Sequence, residues 1–122
     1  MDGNTELTER IIGCALEVHR RPGPGLLENV YESALCIELK FNRLAFTRQV
    51  GMPLYYRGEL IAEHQPDLVV EGQVIVEVKS VERLAPIHWA HVLTYLRATG
   101  LHVGLLLNST VLHFGPGRGE LS

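Results

Sequence analysis

The sequence has no long uninterrupted apolar run. Although 46% of its 122 residues are hydrophobic, no stretch approaches the roughly 20 apolar residues that a membrane-spanning helix needs. The first ten residues, MDGNTELTER, also have neither the basic nor the apolar region of a secretory signal. These absences predict a cytoplasmic protein that makes no contact with a membrane.

Cysteine is scarce, with Cys14 and Cys36 the two examples in the chain. Both fall in helical patterns, which favours small core residues over a disulfide. The missing export signal agrees with this interpretation, because disulfides are rare in a reducing cytoplasm.

An excess of positive charge is missing as well. The chain has 11 Lys and Arg against 14 Asp and Glu, a net charge of −3 with histidine neutral. This argues against a protein that coats nucleic acid through bulk positive charge. It leaves a nuclease open, because acidic metal ligands lower the net charge. Six arginines could line a local path for phosphate groups or could be scattered, solvated surface charges. They are Arg20, Arg21, Arg43, Arg48, Arg83 and Arg97.

Length and periodicity predict one α/β domain over residues 1–122, with a flexible tail at 115–122. Helical spacing covers the segment before Pro22-Gly-Pro-Gly25 and the segments 26–41 and 86–99. Strand patterns cover 45–50, 52–56, 59–70, 73–81, 102–107 and 111–114. The order ααββββαββ predicts a mixed β-sheet flanked by helices. Short connections predict antiparallel early strands, and the helix at 86–99 predicts a parallel pair on either side of it.

One stretch, PDLVVEGQVIVEVK at 66–79, places charges where burial is expected. It predicts two strands joined at Glu71-Gly72. On the second strand Glu77 and Lys79 share one face, because side chains alternate along a strand. A charge on such an apolar strand is costly unless it is paired or ligates a metal.

These charged residues suit metal-dependent phosphodiester cleavage. Mg²⁺ takes an oxygen shell from one or two carboxylates, waters and a phosphate oxygen. Asp67 and Glu77 supply two carboxylates from neighbouring strands, and Lys79 supplies a cation for the phosphate or the attacking water. Glu-x-Lys alone also occurs as an ordinary solvated pair. The apolar neighbours, the Asp after Pro66 and the hairpin are what favour a metal site.

The same residues resemble the PD-(D/E)XK nuclease superfamily through Pro66-Asp67 and Glu77-Val78-Lys79. The stretch GLLENVYE at 25–32 resembles the GxxExxY signature of a small bacterial family in that superfamily. LTYLRATG at 93–100 and the following GLLLN resemble that family too. The resemblance extends from Leu7 to Asn108.

The resemblance implies roles for individual residues. Asp67 and Glu77 would bind Mg²⁺ or Mn²⁺, and Lys79 would be the catalytic lysine. An acidic residue on the leading helix would complete the site, and Glu28 is the match. Glu32 lies one helical turn further on nearly the same face and is the alternative.

There is one departure from the superfamily pattern. One exonuclease-like branch carries Q-x-x-x-Y on the helix after the lysine, where this chain has His91 and Tyr95. Histidine also donates to phosphate or base, so both residues are candidates for substrate binding. The change puts the nucleic-acid contact in question more than the metal site.

The leading hypothesis is therefore a divalent-metal-dependent nuclease acting on DNA and leaving a 5′-phosphate, as the resemblance implies. The alternative is a non-catalytic nuclease-fold module for binding or assembly, motivated by the acidic charge and by His91. A homodimer or a partner protein that adds specificity is a further expectation. DNA versus RNA, strandedness and the need for a free end stay open.

Overall fold

The computed structural model describes the chain from residue 4 to residue 110, together with residues 120 and 121. Three helices are α1 Asn4–Arg20, α2 Glu28–Phe41 and α3 Pro86–Thr99. The strands are β1 Phe46–Arg48, β2 Met52–Tyr56, β3 Glu59–His64, β4 Leu68–Val70, β5 Val74–Lys79, β6 Val103–Asn108 and β7 Glu120–Leu121. The predicted strand at 111–114 and the remainder of the predicted tail lie outside the described residues. This is the predicted α/β class.

Five of these strands form a mixed sheet in the order β1-β4-β5-β6-β7. β4 is antiparallel to both β1 and β5, whereas β6 is parallel to β5. The parallel pair confirms the crossover predicted from the helical pattern at 86–99. β5 therefore lies in the centre of the sheet, with a paired strand on each side.

The single strand predicted at 59–70 is wrong, because the structure contains two strands there. β3 pairs with β2 in a separate two-stranded sheet, and β4 belongs to the large sheet. The break falls at Gln65-Pro66-Asp67. Proline has no N–H for a strand ladder and restricts the residue before it, so the chain leaves one sheet and enters the other there.

The two faces of β5 pack against different helices. Val74, Val76 and Val78 are fully buried in a core that includes residues of α1 and α2. Ile75 lies on the opposite face in a smaller cluster with Val69 and Tyr95 of α3. The predicted alternation is thus observed, and Glu77 and Lys79 lie at the end of the strand on the face of Ile75.

Helix α3 approaches β6 closely at Gly104. A Cβ atom at this position would overlap the Cγ1 methyl of Val92, a buried β-branched residue with little rotamer freedom. The glycine of the GLLLN stretch is therefore required by packing. Its small size fixes how near α3 lies to the sheet.

The start of α2 is attached to the end of the parallel pair through Ser109. The Ser109 N–H donates to the Lys79 carbonyl (2.8 Å), and the Gly25 N–H donates to the Ser109 carbonyl (2.8 Å). The Ser109 hydroxyl also donates to the Leu26 carbonyl (2.9 Å). Because Ser109 is completely buried, these bonds hold the loop that leads into α2 beside the end of β5.

Candidate active site

Asp67 is joined to the end of β5 by two hydrogen bonds between side chain and backbone. The Asp67 N–H donates to Glu77 Oε2 (2.7 Å), and the Val78 N–H donates to Asp67 Oδ2 (2.7 Å). The strand register pairs Leu68 with Val76, so Asp67 lies beside Glu77 where β4 begins. The structure thus brings together the two carboxylates singled out in the sequence.

Burial makes the charged forms of both carboxyl groups costly. Glu77 is 4% exposed. Burial raises its pKa to about 8, with repulsion from Asp67 as the next cause. Burial likewise raises the pKa of Asp67 to about 6, although its hydrogen bond from Val78 opposes the change. Two adjacent acids with raised pKa values indicate a site short of positive charge.

Lys79 lies two residues after Glu77 at the end of β5 and is half-buried. Its positive charge lowers the pKa of Glu77, which partly offsets the effect of burial. The Lys79 carbonyl is held by the Ser109 N–H, so the backbone at this strand end is fixed. Lys79 therefore lies on the same face of the strand as Glu77, but its positive charge offsets only part of the effect of burial on the pKa of Glu77.

Of the two helical glutamates, Glu32 is the one in contact with this group. Its side chain is buried, and its charge raises the pKa of Asp67. Glu28 is exposed in the first turn of α2. Glu28 stays a prediction as a ligand, while the observed contacts favour Glu32.

Two residues beside the site have roles that the sequence did not indicate: Gln49 was missed, and Arg48 was considered only as one of six arginines for a phosphate path. Arg48 Nε donates to Glu32 Oε2 (2.6 Å), and this bond raises the pKa of the guanidinium. Gln49 Nε2 lies 3.0 Å from Asp67 Oδ1 and 3.2 Å from both oxygens of Glu32. The sequence shows there only an Arg-Gln pair within the strand pattern at 45–50, which by itself is uninformative.

The α3 residues proposed for substrate binding are in different environments. Tyr95 is 7% exposed, and its ring meets that of His64 edge-on at 5.2 Å between centroids. Burial raises the pKa of Tyr95 to about 12, and the charges of Glu77 and Asp67 contribute. His91 is exposed one turn earlier. Tyr95 thus borders the carboxylates, while His91 faces solvent.

Three of the arginines considered for a phosphate path form ion pairs with glutamates of the chain. Arg20 and Arg21 both pair with Glu17 on α1. Arg48 pairs with Glu32, so its charge compensates a carboxylate beside the site. Half of the six arginines are thus paired with glutamates of the chain, which favours a role in these ion pairs over phosphate binding.

The donor set fits a hard divalent cation. In the described part of the chain, no three His, Cys, Asp or Glu side chains are already arranged as a metal site. Mg²⁺ sites that act on phosphates need only one or two carboxylates, since water and phosphate oxygens complete the shell. Asp67 and Glu77 meet this requirement, and a cation would relieve the electrostatic cost of both charges.

Comparison with known families identifies the class of protein. A sequence model of the PD-(D/E)XK nuclease superfamily matches residues 5–117. The chain therefore belongs to the PD-(D/E)XK nuclease superfamily, as the sequence resemblance implied. Proteins of this superfamily are generally nucleases and typically use divalent metal ions.

No curated protein and no solved structure matches the chain. Among the helices that the structure describes, none combines the length and hydropathy needed to cross a membrane.

Proposed function

We propose that the chain is a divalent-metal-dependent nuclease that hydrolyses phosphodiester bonds in DNA. The observation that supports this most directly is the pair of half-buried Asp67 and buried Glu77, with Lys79 on the same face of the central strand as Glu77. Superfamily membership indicates nuclease-type hydrolysis. The choice of DNA follows from the resemblance in the sequence.

In this proposal Asp67 and Glu77 hold Mg²⁺ or Mn²⁺. The bound cation supplies Lewis-acid stabilisation of charge on the phosphate and lowers the pKa of a bound water. Lys79 orients the attacking water or binds the scissile phosphate, because its ammonium lies beside Glu77 on β5. His91 and Tyr95 contact the substrate from α3, with exposed His91 donating to phosphate or base.

Glu32 is the acidic residue of α2 that we assign to this site. It is buried, and both Gln49 and Arg48 bind its carboxylate. Glu28 is the residue that matches the glutamate of the GxxExxY signature, but it is exposed one turn away. The two residues are a matched pair for mutagenesis, because both are glutamates of one helix.

The proposal is tested by cleavage assays with Lys79→Ala on single-stranded DNA, duplex DNA and RNA, with Mg²⁺ or Mn²⁺. We expect a loss of at least about 100-fold in kcat, because a positioned ammonium in proton transfer or charge stabilisation contributes this much or more. Circular dichroism and Mn²⁺ affinity should stay close to wild type. Lys40→Ala, at the exposed end of α2, is the matched control.

Equal cleavage by wild type and Lys79→Ala would show that Lys79 is not the catalytic lysine. Wild-type protein that binds nucleic acid but cleaves none of the three substrates would instead support the non-catalytic binding module.

A further inference from the structure

The side-chain amide of Gln49 connects two acidic residues from different elements. Its nitrogen lies 3.0 Å from Asp67 Oδ1 and 3.2 Å from each oxygen of Glu32. Ionised carboxylates only accept hydrogen bonds, so the NH₂ end of the amide must face them. One N–H is available for each carboxylate. Gln49 is therefore a neutral bridge between α2 and the residue that precedes β4.

The backbone of Gln49 is fixed in an unusual conformation. Its φ angle is +56°, in the left-handed region that non-glycine residues rarely adopt. Its N–H donates to the Asp67 carbonyl (3.1 Å), which continues the pairing of β1 with β4. Gln49 thus contacts Asp67 through backbone and side chain. A conformation of this kind persists where the surrounding structure determines it, and it is frequent at functional sites.

Arg48 fixes the other side of this bridge. It binds Glu32 through Nε (2.6 Å) and Ser33 Oγ through a terminal nitrogen (2.9 Å). Glu32 is consequently held by two consecutive residues, one charged and one neutral. Arg48 holds the carboxylate of Glu32, and Gln49 hydrogen-bonds to both Glu32 and Asp67, so the position of Glu32 affects that of Asp67.

We propose that Gln49 is a positioning residue of the active site, through which Glu32 orients the metal-binding carboxylate of Asp67. The assignment of Asp67 as a metal ligand rests on the proposed function, whereas the orienting of Asp67 does not. Residues that hydrogen-bond to metal ligands usually change metal affinity or activity by about 10- to 100-fold when they are removed.

The first test uses metal-free protein and Gln49→Met, which keeps the side-chain length and removes both donors. The Val78 N–H donates to Asp67 Oδ2, so its hydrogen exchange reports how well the carboxylate is held. We expect exchange at Val78 to be roughly tenfold faster in the variant, in line with the loss of one supporting hydrogen bond. Exchange at Val76, deeper in β5, should not change.

The second test measures Mn²⁺ binding by electron paramagnetic resonance, far below the unfolding temperature. We expect Gln49→Met to raise the Kd for Mn²⁺ about tenfold or more. Gln49→Gly should do the same, although glycine relieves the left-handed backbone and so separates amide loss from backbone strain. Gln73→Met, in the exposed turn before β5, is the matched control and should bind Mn²⁺ normally.

A double-mutant cycle tests whether Glu32 acts through Gln49. Glu32→Gln and Gln49→Met should each weaken Mn²⁺ binding, and the double variant should be no weaker than the worse single variant. Glu38→Gln, near the other end of the same helix, serves as the control and should bind Mn²⁺ normally.

Unchanged exchange at Val78 in Gln49→Met would overturn the positioning role, and so would independent effects in the cycle. Wild-type protein that binds no Mn²⁺ would refute the proposed metal site, while exchange at Val78 would still decide the role of Gln49.

Discussion

At the scale of single residues, the site is defined by charges placed in a poorly solvated position. Asp67 and Glu77 lie close together where β4 begins and β5 ends, and the nearby groups include the half-buried Lys79 and the neutral Gln49, which donates to Asp67. A buried charge without full compensation raises the free energy of the folded state. The metal-free protein therefore tolerates an electrostatic cost that binding of a cation would remove.

This cost predicts a pH dependence of stability. The folded-state pKa values, about 6 for Asp67 and about 8 for Glu77, exceed the ordinary values of 3.8 and 4.5. Between about pH 4 and pH 8 the folded protein binds more protons than the unfolded chain, so the free energy of unfolding falls as pH rises. Because each unit of pKa shift corresponds to about 1.4 kcal/mol, we expect these groups to lower the free energy of unfolding by a few kcal/mol across this range. Urea unfolding in EDTA from pH 5 to pH 8.5 measures the effect.

The matched variant for this measurement is Glu77→Gln. Glutamine retains an oxygen that accepts the Asp67 N–H but carries no charge. The decline in stability should be clearly smaller in this variant, which should also exceed wild type in stability at pH 8. The same decline in both proteins would contradict the assigned origin of the pH dependence.

At the scale of elements, α3 matters because it brings Tyr95 to the carboxylates and His91 to the surface beside them. Its ends follow from local chemistry, with Pro86 at the first turn and Gly100 closing the helix at φ +75°. Its distance from the sheet depends on Gly104 and Val92. The contact between α3 and β6 is therefore the element-level feature that places Tyr95.

We predict that Gly104→Ala destabilises the protein by about 1–3 kcal/mol, because an added methyl overpacks the contact with Val92. Adding Val92→Ala should recover part of the loss, since it removes the methyl that the new Cβ meets. Chemical unfolding of the two single variants and the double variant measures the coupling.

Gly13→Ala is the control for this substitution. A Cβ at Gly13 in α1 meets no atom within 4 Å, and alanine favours helix. This variant should be as stable as wild type or more stable by up to about 1 kcal/mol. Equal stability of Gly104→Ala and wild type would show that α3 adjusts its position freely.

At the scale of the whole molecule, metal binding should be linked to folding. The carboxylates come from β5 and the residue before β4, and Glu32 comes from α2, so the complete site exists only in the folded chain. A ligand that binds the folded state alone stabilises it by RT ln(1 + [L]/Kd). Global stability is therefore a measure of site occupancy.

We expect Mn²⁺ at about 100 times its Kd to stabilise the wild-type protein by about 2.7 kcal/mol, equivalent to roughly 10 °C in Tm. Thermal unfolding followed by circular dichroism, with EDTA as the reference, measures this shift. Asp67→Asn should lose most of the shift, because one of the two proposed ligands becomes neutral. A shift of the same size in Asp67→Asn would exclude Asp67 as a ligand.

The separate β2–β3 hairpin also belongs to this scale. It exposes several large apolar side chains, namely Tyr55, Tyr56, Leu60 and Ile61. Whether a second copy or a partner protein covers them stays a prediction, as does the expected homodimer.

The sequence by itself determined the parts of the protein that depend on local pattern. The helix at 86–99 has the predicted ends, because proline and glycine impose their conformations without tertiary contacts. The alternation on β5 and the parallel pairing across α3 were also predictable, since strand period and crossover rules are general. Asp67, Glu77 and Lys79 were recognisable because their charges conflicted with an apolar strand.

Only the tertiary structure decided how residues from distant segments meet. The switch between sheets at Pro66 depends on which strands pair, and a continuous strand pattern does not record it. The contact of Glu32 with the site and the bridge through Gln49 depend on the orientation of α2 against β1 and the start of β4. Those contacts join residues 17 and 18 positions apart through polar side chains with no periodic signal. Geometry across elements, set by core packing, therefore determined the outer part of the site.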